Sequence, residues 1–195
     1  VRVLVTGFEP FKKETVNPSW EVCKQVSSES VEVRQLPVAY DEAAEKARTL
    51  FEEVNPQVVL LLGEAGGRTH ISVERIAVNC DDAPIKDNKG QKRDGQAIDP
   101  TGEDGLFTTI PVKKVVHSLK KEGIPAVISN SAGTYLCNHV LYEMLRYAKK
   151  KNTSAKVGFI HLPYLPEQTV DKPQKASMSL DLMVKAVKIA IQVCR

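Results

Sequence analysis

The stretch Val58-Val59-Leu60-Leu61-Leu62 is apolar at every residue and stops at Gly63. A run of strand length with no polar face must be covered on both sides, as a central strand of a parallel sheet is. Its surroundings fit that setting. Residues 41–54 carry Ala44, Ala47, Leu50, Phe51 and Val54 on one helical stripe, with Asp41 placed to cap it and Asn55-Pro56 to stop it. The alternation continues along the chain. Strands are predicted over 2–6, 31–36, 126–129 and 157–161. Helices are predicted over 18–26, 111–122 (closed by Gly123), 134–150, and from Ser177 or Ser179 to residue 193. Residues 70–79 read as extended, and 81–106 form a polar, Gly- and Asp-rich stretch of the kind that is functional or mobile. Strands alternating with crossover-length helices predict one α/β domain over 1–195. Its sheet is open, twisted and mostly parallel, with helices on both faces.

Composition narrows the function classes. Lys and Arg number 27 against 24 Asp and Glu, a net charge of +3, too small an excess to predict nucleic acid or an anionic membrane as partner. No apolar run reaches the roughly 18 residues of a membrane span. Val1-Arg2-Val3-Leu4-Val5 reads as a strand and not as a signal peptide. Cys23, Cys80, Cys137 and Cys194 are evenly spaced, but their flanking residues are unrelated, so they mark no repeat. They form no Cys-x-x-Cys pair and no Cys/His cluster of zinc spacing, so no metal is expected and four reduced thiols are.

Ligands of open α/β sheets sit beyond the carboxyl ends of the strands. Four segments are expected there: Thr6-Gly7-Phe8-Glu9-Pro10-Phe11, Gly63-Glu64-Ala65-Gly66-Gly67-Arg68, Asn130-Ser131-Ala132-Gly133, and His161. Cys137 is the third residue after Thr134, where the helix is expected to start. Unpaired backbone N–H groups and the helix dipole there favour thiolate and would lower its pKa. Against this stands the common fate of unpaired cysteines, which is burial in a core. Cys23, Cys80 and Cys194 read as packing residues. His161 ends an apolar strand before the stiff Leu162-Pro163-Tyr164-Leu165-Pro166, a position suited to a base beside that thiol. His139 is near Cys137 in sequence but two apart on a helix, hence on a different face; His70 and His117 are weaker candidates. A Cys–His pair needs a third group to fix the imidazole. Glu74, Glu9 and Glu64 all qualify, and the residues alone leave that choice open. Gly66-Gly67-Arg68 fits a tight turn, and its backbone could also cradle an anion. Phe8 and Phe11, at the rim, could clamp a small flat ring.

The ordered motifs resemble the pyroglutamyl peptidase I (pyrrolidone carboxyl peptidase) family over nearly the whole chain. They are Thr6 to Phe11 with Asn17-Pro18-Ser19-Trp20, Gly63 to Arg68, Glu74-Arg75-Ile76-Ala77-Val78-Asn79, Ser129 to Asn138 around Cys137, and Gly158 to Tyr164 followed by Pro166-Glu167-Gln168. The resemblance implies a cysteine exopeptidase acting on small pyroglutamyl peptides, with Cys137 as nucleophile, His161 as base and Glu74 orienting it through a thioester acyl-enzyme. It implies a ring pocket bordered by Phe8, Phe11, Ile85, Tyr135 and Leu136. It also implies no cofactor, a cytoplasmic location and a homo-oligomer, dimer or tetramer.

Three positions depart from the family pattern. Lys12-Lys13 stands where glycine is usual, on the loop carrying Phe11. Glu64 stands where Gln is common. Pro84 replaces an arginine close to the family's catalytic centre, and Lys86 offers a cation without an arginine's planar fork. These departures keep two other readings open: a thiol amidase or acyltransferase of different substrate range, and a non-catalytic peptide-binding member.

Overall fold

The computed structural model describes residues 1–195. Its strands are β1 (Val3–Phe8), β2 (Val31–Leu36), β3 (Val58–Glu64), β4 (Ile71–Glu74), β5 (Ile76–Val78), β6 (Gly105–Phe107), β7 (Ala126–Ser129) and β8 (Lys156–Leu162). Six of them form a sheet in the order β2-β1-β3-β8-β4-β7, and β5 with β6 makes a separate antiparallel pair. The apolar run in β3 sits between β1 and β8, parallel to both. The helices are α1 (Pro18–Val26), α2 (Tyr40–Val54), α3 (Val112–Lys121), α4 (Leu136–Lys150) and α5 (Leu180–Cys194). None is long and apolar enough to cross a membrane.

Side chains along a strand alternate between faces, and here the alternation sorts the core. Val58, Leu60 and Leu62 of β3 pack with α1, α3 and α5. Val59 and Leu61 pack on the opposite face with α2 and α4. The expected α/β sheet covered on both faces is therefore what forms. β8 follows the same rule: Ile160 and Leu162 face the first group, Val157 and Phe159 the second.

Several local expectations need correction. α2 is preceded by Ala39, which offers no side-chain cap, and Asp41 instead lies in the first turn, ion-paired with Arg93 at 2.6 Å. α4 begins at Leu136 and not at Thr134, so Cys137 is its second residue. The polar stretch 81–106 is built from turns that its aspartates hold. Asp87 Oδ1 accepts from the backbone N–H groups of Lys89 and Gln91, and Asp99 Oδ1 accepts from Thr101. The end of this stretch contributes β6.

Strand direction is the largest difference. β1, β3 and β8 end at one edge, as expected, but β4 runs antiparallel to β8, and β7 is parallel to β4. The carboxyl end of β7 therefore lies level with the middle of β8. Residues 130–135 return along the sheet to start α4 at the edge where β3 and β8 end. Gly133, at φ +77°, supplies a left-handed turn in that return.

Candidate active site

β3 and β8 pair with Gly63 opposite His161. Gly63 follows Val59 and Leu61 on the α4 face, and His161 follows Phe159 there, with ring centroids 4.7 Å apart. Above them lies the first turn of α4. A Cβ built on Gly63 would come within 2.7 Å of Cys137 Sγ and 2.7 Å of the Phe159 ring. The missing side chain of Gly63 is thus the space the cysteine sulfur occupies. The loop before α4 is clamped to residue 82: Thr134 Oγ1 donates to the Asp82 carbonyl at 2.6 Å, and the Asp82 N–H donates to the Thr134 carbonyl at 2.8 Å.

Glu74 lies on the same face, because Ser72 of β4 pairs with His161 and side chains two apart share a face. The Glu74 carboxylate is fully buried, and its Oε1 is 2.7 Å from His161 Nδ1. Arg68 Nη1 approaches the same oxygen at 3.4 Å. Of the three acids left open by the residues, Glu74 is the one bonded to His161. Glu9 Oε1 instead accepts from the Val38 N–H and from Asn88 Nδ2, tying loops together. Glu64 Oε2 accepts from Gln168 Nε2 at 2.8 Å, across a cavity wall.

That cavity holds about 50 Å³ and opens onto Cys137. Phe8, Phe11, Val38, Tyr135 and Leu136 form its apolar walls, with Glu64 and Asn17 as the polar ones. One ordered water needs about 10–15 Å³ on such a scale, so the space suits a small ring and not a long side chain. Phe11 and Tyr135 lie 6.5 Å apart, and Tyr40 backs Tyr135 edge-on at 5.6 Å. Ile85 is half-buried on the neighbouring loop and outside the cavity wall; Lys86 beside it accepts the Tyr135 hydroxyl through its carbonyl at 3.2 Å. A wider surface hollow of about 500 Å³ among Glu9, Glu42 and Glu45 contains none of the cysteines or histidines.

The ionisation of Cys137 runs against the expectation from its helix position. Burial pushes the thiol up to about 12, and the carboxylates of Glu74 and then Glu64 add to the rise. Arg68 and the residue's own backbone N–H oppose them without prevailing. Enclosure between Gly63, Phe159 and two acids outweighs the helix terminus and favours the protonated thiol.

The remaining candidates separate cleanly. Cys23 and Cys194 are buried packing residues, with the Cys194 thiol pushed up to about 11 by burial. His139 is held elsewhere, its Nδ1 2.9 Å from Asp81 Oδ2, while His70 is half-buried and His117 exposed. Gly66 has no room for a Cβ against the Tyr164 ring, and Gly67 has φ +87°, so Gly66-Gly67-Arg68 is a tight turn. Lys12 keeps the left-handed backbone of a glycine position, φ +58°, and sets its ammonium 5.4 Å over the Phe11 ring. Pro84 and Lys86 are exposed. The most enclosed cation of that loop is Arg93, held by Asp81 and Asp41 and stacked 4.4 Å over Tyr40. Sequence reading missed Arg93, Val38 and the side chains of Arg68, Asn17 and Gln168. Only Asn17 carried a signal, as the cap of α1 ahead of Pro18.

The family model for pyroglutamyl peptidase matches residues 1–195. The chain is 51% identical over 197 residues to pyrrolidone-carboxylate peptidase 1 of Caldanaerobacter subterraneus subsp. tengcongensis, covering 99% of this chain and 97% of that one. Among solved structures it resembles pyroglutamyl peptidase I of Bacillus amyloliquefaciens, at 39% identity and TM-score 0.96 over 99% of this chain and 96% of the other. It also resembles a variant of the pyrrolidone carboxyl peptidase of Pyrococcus furiosus, at 43% identity and TM-score 0.94 over 100% and 98%.

Proposed function

This chain belongs to the pyroglutamyl peptidase family, and from that premise we propose that it hydrolyses the amide bond after an N-terminal pyroglutamyl residue through Cys137, His161 and Glu74. The observation that carries the assignment of roles is the buried 2.7 Å contact between His161 Nδ1 and Glu74 Oε1 beside a cysteine sulfur. A carboxylate at Nδ1 holds the proton there and leaves Nε2 with its lone pair.

With its surroundings favouring the neutral thiol, the nucleophile forms during the reaction. The Cys137 S–H gives its proton to His161 Nε2, and the sulfur bonds the pyroglutamyl carbonyl carbon. Glu74 stabilises the imidazolium. The first hydrogen bond of α4 runs from the His139 N–H to the Tyr135 carbonyl, so the N–H groups of Leu136, Cys137 and Asn138 precede it. They are placed to meet the oxyanion. Collapse of the adduct breaks the C–N bond, His161 returns the proton to the leaving amine, and a thioester remains. Water then attacks with His161 as base, releasing pyroglutamate and the thiol.

The cavity beside Cys137 takes the lactam ring. It is small and mostly apolar, with Glu64 and Asn17 as its polar walls, which suits a compact cyclised terminus. The test is release of a fluorescent amine from a pyroglutamyl amide by wild type, Cys137→Ser and Cys80→Ser. Cys137→Ser is expected to lose about 10³-fold or more in kcat/KM, with Cys80→Ser near wild type. An inactive wild type under reducing conditions would sink the substrate assignment, and an active Cys137→Ser would sink the nucleophile.

A further inference from the structure

One aromatic ring behind the cavity is located by its packing alone. Tyr40 is fully buried, and its hydroxyl has no hydrogen-bond partner. The Arg93 guanidinium lies 4.4 Å over its ring, and the rings of Tyr135 and His139 meet it nearly at right angles, at 5.6 and 5.4 Å. Arg93 in turn is fixed on two sides. Its Nη1 donates to Asp81 Oδ2 at 2.8 Å and its Nη2 to Asp41 Oδ1 at 2.6 Å, and only 12% of its side chain is exposed. The same Asp81 oxygen lies 2.9 Å from His139 Nδ1. A buried ion pair adds little net stability. Its consequence here is geometric: two carboxylates hold one planar cation over Tyr40, and Tyr40 stands against Tyr135.

Tyr135 is a wall of the ring cavity, whereas Arg93 and Tyr40 are not. The backbone around Tyr135 is fixed by other means. Thr134 and Asp82 exchange two hydrogen bonds, and the Asn138 side chain bonds the N–H and carbonyl of Val78 and the carbonyl of Cys80. Apart from Phe11 across the cavity, the Tyr135 side chain has two restraints. Its hydroxyl donates to the Lys86 carbonyl, and its ring rests on Tyr40. Arg93 supports both, since its carbonyl accepts the Ala83 N–H at 3.2 Å and so ties down the segment that carries Lys86. We propose that Arg93 is a positioning residue: through Tyr40 it holds Tyr135 in the pose that binds the lactam ring, and so sets ring affinity without touching substrate. This rests on the pyroglutamyl reading above.

Two substitutions separate the links of this chain. Arg93→Lys keeps a charge for Asp81 but loses the planar fork that meets Asp81, Asp41 and Tyr40 together. Tyr40→Leu leaves the ion pairs and removes the ring between Arg93 and Tyr135. Steady-state hydrolysis of a pyroglutamyl amide is measured for wild type, both single variants and the double variant. The bare ring, γ-butyrolactam, serves as competitive inhibitor, and thermal unfolding is followed for each protein. Each single variant is expected to raise KM and the lactam Ki about 3- to 30-fold, the worth of one desolvated cation–aromatic contact. With the backbone of Cys137 held independently, kcat stays within about threefold. Because Arg93 acts through Tyr40, adding Arg93→Lys to Tyr40→Leu raises KM by less than about twofold more, where independent effects would multiply. Multiplying effects, a loss confined to kcat, or a lower Tm with KM and Ki unchanged overturns the proposal. If Arg93→Lys does not fold, Asp41→Asn replaces it, since Asp41 is 72% exposed and frees one side of the guanidinium. A smaller rise in both constants supports the proposal there, and no rise overturns it. A wild type that does not hydrolyse the amide refutes the pyroglutamyl reading and this proposal with it; an active wild type whose variants keep its KM refutes only the role of Arg93.

Discussion

Gly63→Ala isolates what the glycine contributes, because its backbone is not in the left-handed region and the effect is purely steric. The added methyl carbon would sit 2.7 Å from Cys137 Sγ and 2.7 and 3.0 Å from two atoms of the Phe159 ring. Comfortable carbon contacts lie at about 3.5–4.0 Å, so something must give by roughly 1 Å. Phe159 is fully buried, with Val157 and Leu61 packed in the same cluster, and cannot retreat far. The cysteine side chain, at a helix start and beside a cavity, is the part that moves. Overpacking of this kind costs about 1–2 kcal/mol, a fall in Tm of roughly 2–8 °C for a domain of this size. Catalysis is more sensitive: a 1 Å misplacement of a reacting atom costs about 10²-fold. The expected Gly63→Ala enzyme is therefore folded, mildly destabilised, and reduced about 100-fold in kcat/KM with most of the loss in kcat. Amine release and a thermal melt on the same preparation measure both quantities. A variant with wild-type turnover would show that the sulfur does not work from the place where Gly63 meets it.

Three further outcomes follow from the same geometry. If Glu74 acts as proposed, Glu74→Gln, which removes the carboxylate charge 2.7 Å from His161 Nδ1, lowers kcat/KM by about 10²–10⁴-fold. It also removes the carboxylate that most raises the Cys137 thiol, so alkylation of Cys137 by iodoacetamide at pH 8 should quicken while turnover falls; parallel loss of both would contradict this. Lys12→Gly should raise Tm slightly, since a non-glycine residue in the left-handed region costs about 1 kcal/mol; a lower Tm would show that the lysine's position over Phe11 matters more. The Cys137 thiol is pushed from 9.0 up to about 12, so the protein favours its protonated form. That contribution is whole below pH 9 and is lost as pH rises toward 12. The unfolding free energy from urea titrations should fall across this window by up to about 1.4 kcal/mol per pH unit from this thiol, and less steeply in Cys137→Ser.

Most strands and helices were legible because burial writes itself into local pattern. The apolar run at 58–62 and the stripe of α2 need only their immediate neighbours to be read. What depended on distant partners was not legible. The choice of Glu74 over Glu9 and Glu64 rests on β4 pairing with β8, which no window around residue 74 reveals. The reversed direction of β4 and β7 is equally silent, since four-residue strands look alike run either way. β6 hid in polar sequence because only Leu106 of its three residues is buried. The Cys137 thiol was misjudged in sign: helix position is visible in sequence, whereas enclosure by Phe159 and the charges of Glu74 and Glu64 exists only once the sheet is assembled. At Lys12, which stands where glycine is usual, the chain keeps a left-handed backbone at φ +58°.

The seam between β8 and β4 joins His161 to Glu74 across a sequence separation of 87 residues, through two registered pairs, Ser72 with His161 and Val73 with Ile160. Such a contact carries a large loop-closure entropy and belongs to the slow, non-local part of folding. Helices can form on local information, but His161 and Glu74 meet only when β8, near the end of the chain, has docked between β3 and β4. During synthesis the chain therefore carries a protonated, unpaired cysteine until its last quarter is in place, and peptidase activity becomes a readout of completed assembly. In refolding, recovery of helical circular dichroism would precede recovery of amine release, with the interval set by closure of this seam.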